Sequence, residues 1–148
     1  FCEFRLSETK QNRNMTLATI GVVQEYYRAF NEGDIVKFFQ LLTDDVIHDI
    51  NNGKREVGKE PMRKFMNHMN HCYREKVSDL VIFSNVMGDR AAAEFWVEGT
   101  YLVTDHGLPA AKGQHYALRA GAFFEMSGDR ISRITTYYNL TDWLSQIK

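Results

Sequence analysis

From Thr16 onward, apolar positions recur at helical spacing: Ile20, Val23, Tyr27 and Phe30, with Val22, Tyr26 and Ala29 widening the face. This predicts a first helix capped by Thr16 and ended by Gly33. Asp34 then caps a shorter helix with Ile35, Phe38, Phe39 and Leu42 on one face, stopped by Thr43-Asp44-Asp45. Residues 46–50 read as a strand, and Asn51-Asn52-Gly53 as a tight turn requiring positive φ. Pro61 opens a third helix in which Met62, Phe65, Met66, Met69, Cys72 and Tyr73 repeat at three and four.

The period then changes. Residues 77–86, 91–103, 115–126 and 130–139 are rich in β-formers and broken by short polar turns that join antiparallel neighbours. In the second of these runs Ala93, Phe95, Val97 and Tyr101 share one face, and Glu94, Trp96, Glu98 and Thr100 the other. Residues 140–147 predict a short terminal helix. The order predicts an α+β domain, a cone in which a strongly curved antiparallel sheet wraps around the N-terminal helices and leaves a cavity where they do not fill it. The helices cover one sheet face only, so a second copy of the chain is the expected cover for the other, where Trp96, Arg119 and Phe123 project.

Residues 1–14 show no helical or strand period and no apolar signal-peptide core. They read as a flexible leader or expression remnant, and residues 15–148 as the single domain. The chain of 148 residues is long enough to fold without a disulfide or metal staple. Its net charge of -1 lacks the cationic surplus that nucleic-acid binding uses, and no apolar run approaches the length of a membrane span. Cys2 and Cys72 lie far apart and suggest free thiols in a reducing, cytoplasmic setting.

Several stretches carry a resemblance. EYYRAFNEGDIVKFFQLLTDDVIHDI, GKREVGKEPMRKFM and GAFFEMSGDRISRITTYYN resemble the nuclear transport factor two-like superfamily, specifically its SnoaL-like and ketosteroid-isomerase-related members, over about residues 16–145. The resemblance implies the cone-shaped fold. It leaves the activity open, since the fold hosts isomerases, dehydratases, cyclases, epoxide hydrolases and non-catalytic proteins.

The isomerases use an Asp base, a Tyr oxyanion donor and a protonated Asp as second donor, a case used as a general illustration of tuned acidity. Carried onto this chain, the tyrosine falls at Tyr26. The base falls at Asp49, or at His48 if the strand keeps the family's parity, because adjacent strand residues face opposite sides. The third position falls on Ala120 or Gly121, neither of which can donate from a side chain. The same alternation gathers an apolar pocket from Phe65, Met66, Phe95, Val97, Tyr116, Leu118, Ala120, Ile134, Thr136 and Tyr138, suited to a small apolar ligand.

His68, His71 and Cys72 have helical ligand spacing, but His71 and Cys72 diverge around the axis and no further ligand cluster accompanies them, so no metal is expected. No cofactor is expected either. Two functions remain: cofactor-free proton transfer on a small carbonyl, epoxide or hydroxyl compound, or binding of a small molecule without turnover.

Overall fold

The computed structural model describes residues 2–51 and 53–148, with side chains from Ser7 onward. Among the described residues, four helices and six strands follow one another as α1 (Cys2–Glu32), α2 (Ile35–Gln40), β1 (Leu42–Asp49), β2 (Arg55–Val57), α3 (Lys59–Cys72), β3 (Tyr73–Ser84), β4 (Arg90–Tyr101), β5 (His115–Ser127), β6 (Arg130–Tyr138) and α4 (Leu140–Gln146). The strands form one open sheet in the order β2-β1-β6-β5-β4-β3. Every neighbouring pair is antiparallel except β1 and β6, which run parallel. The expected antiparallel sheet is therefore mixed, because most of the chain lies between β1 and β6 and its return brings β6 alongside in the same direction.

Irregularities bend the sheet around the helices. The register shifts in β1 between Leu42 and Ile47, in β3 between Ser78 and Val81, and in β5 between Glu125 and Met126. Asp79 takes up the β3 shift with a φ of 50°. Its effect is visible in burial: Tyr73, Glu75 and Val77 turn inward before it, and Leu80, Ile82 and Ser84 after it.

The main core joins Val23, Tyr27 and Ala29 of α1 to Phe38 and Phe39 of α2, Met62 of α3, and Phe95, Phe124 and Ile134 of the sheet. A second cluster of Cys72, Tyr73, Tyr101, Tyr116, Leu118, Trp143 and Ile147 lies where α4 closes one end. Gln146 fixes α4 there, donating to the Ala117 carbonyl at 3.0 Å and accepting the Ala117 N–H at 2.9 Å.

Several boundaries differ from the sequence expectation. Residues 2–14 continue α1. Residues 7–14 are polar and almost all exposed, so helix-forming Glu, Lys, Gln and Arg extend the helix without an apolar stripe to announce it. Thr16 is consequently no N-cap, and its hydroxyl donates to the Asn85 carbonyl at 3.2 Å, tying α1 to the β3–β4 turn. Thr43-Asp44-Asp45 lies inside β1 instead of ending a helix. Asn52 of the expected tight turn lies outside the described residues, and the chain after it adds the short strand β2. Tyr73 begins β3 with an extended φ of -135° and does not belong to α3. Asp34 caps α2 as expected, accepting the Lys37 N–H at 3.0 Å.

Candidate active site

The concave side of the sheet and the facing helices enclose a mainly apolar cavity of about 360 Å³. Its walls include Tyr26 and Phe30 of α1, Met62, Phe65, Met66 and Met69 of α3, and His48 of β1. The sheet supplies Phe95, Val97, Leu118, Ala120, Ile134, Thr136 and Tyr138. Of the expected pocket residues, only Tyr116 is displaced: it lines a neighbouring open groove instead.

Tyr26 stands on the cavity side of α1, its ring 4.7 Å from Phe38 and edge-on to Phe124 at 5.7 Å. Its hydroxyl has no hydrogen-bond partner among the described residues, and burial holds its pKa above the ordinary phenol value. Aromatic neighbours fix the ring, which leaves the O–H for whatever enters the cavity.

β1 settles the parity question. His48 is 8% exposed and stacks edge-to-face on Phe65 at 4.6 Å. Its Nδ1 is sealed from solvent without a partner. Burial lowers its pKa, against an opposing pull from Glu56 and Asp49, so the imidazole is neutral near pH 7. An orphaned N–H costs more than an orphaned lone pair, which places the proton on Nε2. His48 can therefore offer a neutral N–H donor to a ligand.

Asp49 faces the other way. Arg55 grips its carboxylate with Nε at 2.6 Å and a terminal nitrogen at 2.9 Å, and Arg133 adds a contact at 3.5 Å. These partners, the Arg55 hydrogen bond foremost, hold its pKa below the usual carboxylate value. The expected placement of Asp49 as a cavity base is thus corrected: strand alternation that buries His48 turns Asp49 toward its cationic cross-strand partner Arg55.

The cavity also holds polar groups that sequence reasoning missed. Glu75 of β3 points into it and accepts the Tyr116 hydroxyl on Oε1 at 2.6 Å. Burial raises its pKa, partly offset by that hydrogen bond. The signal was present: carried back from Val77, the inward alternation reaches Glu75 and then Tyr73. At the rim, Asp105 accepts the Tyr73 hydroxyl at 2.8 Å and lies 3.0 Å from His68 Nε2. His68, Cys72 and Asp105 bring three ligand-type atoms within 4.8 Å of one another, while His71 is exposed and outside the group. Hydrogen bonds to Asp105 hold His68 and Tyr73 in that arrangement.

Residues 23–134 match the SnoaL-like domain, and the chain belongs to this family. It is 54% identical to a candidate polyketide cyclase of Pseudomonas putida, over 86% of this chain and 96% of that one, with a TM-score of 0.84. A candidate polyketide cyclase of Xanthomonas campestris is 44% identical over 90% of this chain and 99% of its own, at a TM-score of 0.88. An epoxide hydrolase of Mycobacterium tuberculosis, at 16% identity and a TM-score of 0.71 over 89% of this chain and 90% of its own, shares the fold. No curated protein matches the chain. Among the described residues, no helix is long and apolar enough to cross a membrane.

Proposed function

We propose that the protein binds a small, flat, largely apolar carbonyl compound in the cone and promotes cofactor-free proton transfer on it, of the type that closes a ring in a polyketide-like chain. The observation that carries this reading is a pair of polar groups in an apolar cavity: the Tyr26 hydroxyl, without a hydrogen-bond partner among the described residues, and the His48 imidazole, whose sealed and unpartnered Nδ1 leaves Nε2 as the donor. An unpartnered donor in such surroundings costs stability and becomes useful when a ligand oxygen arrives. The likeness to the candidate cyclases supports the ring-closing direction.

In this reading Tyr26 and His48 donate to the carbonyl oxygen as negative charge develops on it. Asp49 takes no part. The apolar walls, including Phe65, Phe95 and Leu118, hold the carbon skeleton and exclude water. Binding without turnover is the second reading, and Ala120 favours it: the cavity position matched to the isomerases' protonated Asp carries only a methyl group.

A linear phenyl-substituted diketone whose aldol closure gives a phenylcyclohexenone separates the two. The expected result is ring closure with loss of one water, faster than in buffer and slowed by Tyr26→Phe and by His48→Gln. Binding of the diketone with closure at the buffer rate would establish the second reading instead.

We also propose that the outer sheet face pairs with a second copy of the chain, since Phe123 and Tyr137 stand exposed on adjacent strands in edge-to-face contact at 5.9 Å.

A further inference from the structure

Three strands contribute to one cross-sheet row. Glu75 of β3 pairs with Gly99 of β4, and Gly99 pairs with Tyr116 of β5. In an ordinary row the middle side chain would separate the outer two. Here a Cβ on Gly99 would collide with the Tyr116 ring and hydroxyl, so the missing side chain is what lets the phenol lie across β4 and reach Glu75. The strand that carries Glu75 is held from the helix side too. Asn31 of α1 bonds both backbone groups of Val77, donating to its carbonyl and accepting its N–H at 2.8 Å each, which fixes β3 two residues further along.

The hydrogen bond has a direction with chemical consequences. Tyr116 donates to Oε1, and an oxygen accepting a phenol does so whether the carboxyl is ionised or not. Oε2 has no partner among the described residues and is left to gain or lose a proton. Among the described residues Glu75 alone lines both the closed cavity and the open groove that runs past Arg74, Lys76, Thr100 and His115. A proton on it can therefore pass to a ligand on one side and exchange with water on the other.

We propose that Glu75 is the catalytic base and acid of the cavity, with Tyr116 as its positioning residue across Gly99. This deepens the proton-transfer reading above and rests on it. The C–H bond next to a ketone breaks and its proton goes to Glu75 Oε2. The bonding pair becomes an enolate whose oxygen carries the charge. The enolate carbon then bonds to a second carbonyl carbon, and that carbonyl oxygen takes the proton back from Glu75. Removal and return balance, and no further reactant enters the ring-forming step. Burial makes the carboxylate a stronger base than one in water.

The test uses acetylnaphthalene, a flat aromatic methyl ketone, with the whole chain in deuterium oxide. Proton NMR follows replacement of methyl hydrogens by deuterium, and line broadening of the ketone signals gives its Kd. Wild type is expected to exchange the methyl group well above the buffer rate. Glu75→Gln is expected to lose about 100-fold or more of that rate while the Kd stays within about threefold. Tyr116→Phe guards against misfolding of the first variant: it is expected to fold, with Tm lower by about a few degrees for the lost hydrogen bond, and to lower the rate about tenfold at unchanged Kd. Exchange by Glu75→Gln at the wild-type rate would overturn the assignment and leave the proton-transfer reading standing. Exchange by wild type at the buffer rate would overturn both. A Tyr116→Phe protein with its rate per bound ketone intact, whatever its Tm, would make the pair structural and equally overturn the assignment.

Discussion

His48 and Asp49 are consecutive on β1 and occupy opposite sides of the sheet, the imidazole 8% exposed against Phe65 and the carboxylate clasped by Arg55 at 2.6 Å. One residue of parity thus separates a cavity group from a surface ion pair. Asp49→Asn is therefore expected to leave cavity binding and turnover at wild-type levels. Its stability effect at pH 7 should be a loss of about 0.5–1 kcal/mol, the scale of a partly exposed pair. Because the folded pKa is depressed, this contribution is present above the unfolded value near pH 4 and disappears as pH falls through the folded pKa. Urea unfolding of both proteins at pH 7 and near pH 2 checks this, with the difference closing at the lower pH. A tenfold loss of cavity activity in Asp49→Asn would contradict the placement.

His48 carries the opposite signature. Burial lowers its pKa, so the unfolded chain binds the proton more readily than the folded one. The neutral ring's contribution is complete above the unfolded pKa of about 6.5 and is lost as pH falls from there through the folded value. Wild type should lose stability relative to His48→Gln on acidification from pH 7 to pH 5. NMR titration of the His48 ring should give a midpoint below about 6.5, and a midpoint above it would refute the burial argument.

The reason the sequence left this parity open is physical. Thr43-Asp44-Asp45 reads as a helix stop, so it hid the true start of β1 at Leu42 and with it the register shift before Ile47. The later strands were legible because Ala93, Phe95 and Val97 alternate cleanly with Glu94, Trp96 and Glu98. Glu75 was lost for a related reason: Tyr73 continues the apolar stripe of α3 at four residues from Met69, so the strand seemed to begin at Val77. Residues 7–14 gave no signal because a helix polar on all sides has no stripe to read.

Tyr26 distinguishes a ligand-facing phenol from a core one. A buried tyrosine with a protein acceptor loses about 1–2 kcal/mol on conversion to phenylalanine, whereas an unpartnered hydroxyl is removed at little cost. Tyr26→Phe is expected to unfold within about 0.5 kcal/mol of wild type in urea and to weaken diketone turnover. Loss of stability with turnover intact would assign the residue to the core.

The β3–β4 turn depends on Gly88. Its φ is 69°, a Cβ there would sit 2.8 Å from the Met15 carbonyl oxygen, and its own carbonyl accepts the Thr19 hydroxyl. Left-handed backbone costs an alanine about 1–2 kcal/mol, and collision with helix backbone adds to that. Gly128 has a φ of 62° with nothing within 4 Å of its Cβ position, so it reports the backbone cost alone. Gly88→Ala is expected to lose about 2 kcal/mol or more and Gly128→Ala about 1 kcal/mol. Equal losses would show that α1 does not rest on the turn.

The outer face offers the last test. Phe123 is 49% exposed and Tyr137 51%, and beyond the β3 bulge Val81 and Phe83 are exposed at 46% and 57%. Arg119 sits over the Trp96 ring at 5.0 Å and reaches Glu94 at 3.1 Å, so polar groups accompany the apolar ones on this face. Apolar area rimmed by charge favours association of two copies through the same surface. Sedimentation at increasing concentration should show a dimer for wild type and a monomer for Phe123→Glu, the charge being buried without a partner in the paired state. Phe123 makes no contribution to the cavity, so the variant should keep its Tm at low concentration and its ligand binding. A wild-type chain that sediments as a monomer at all concentrations would remove the second copy from the picture.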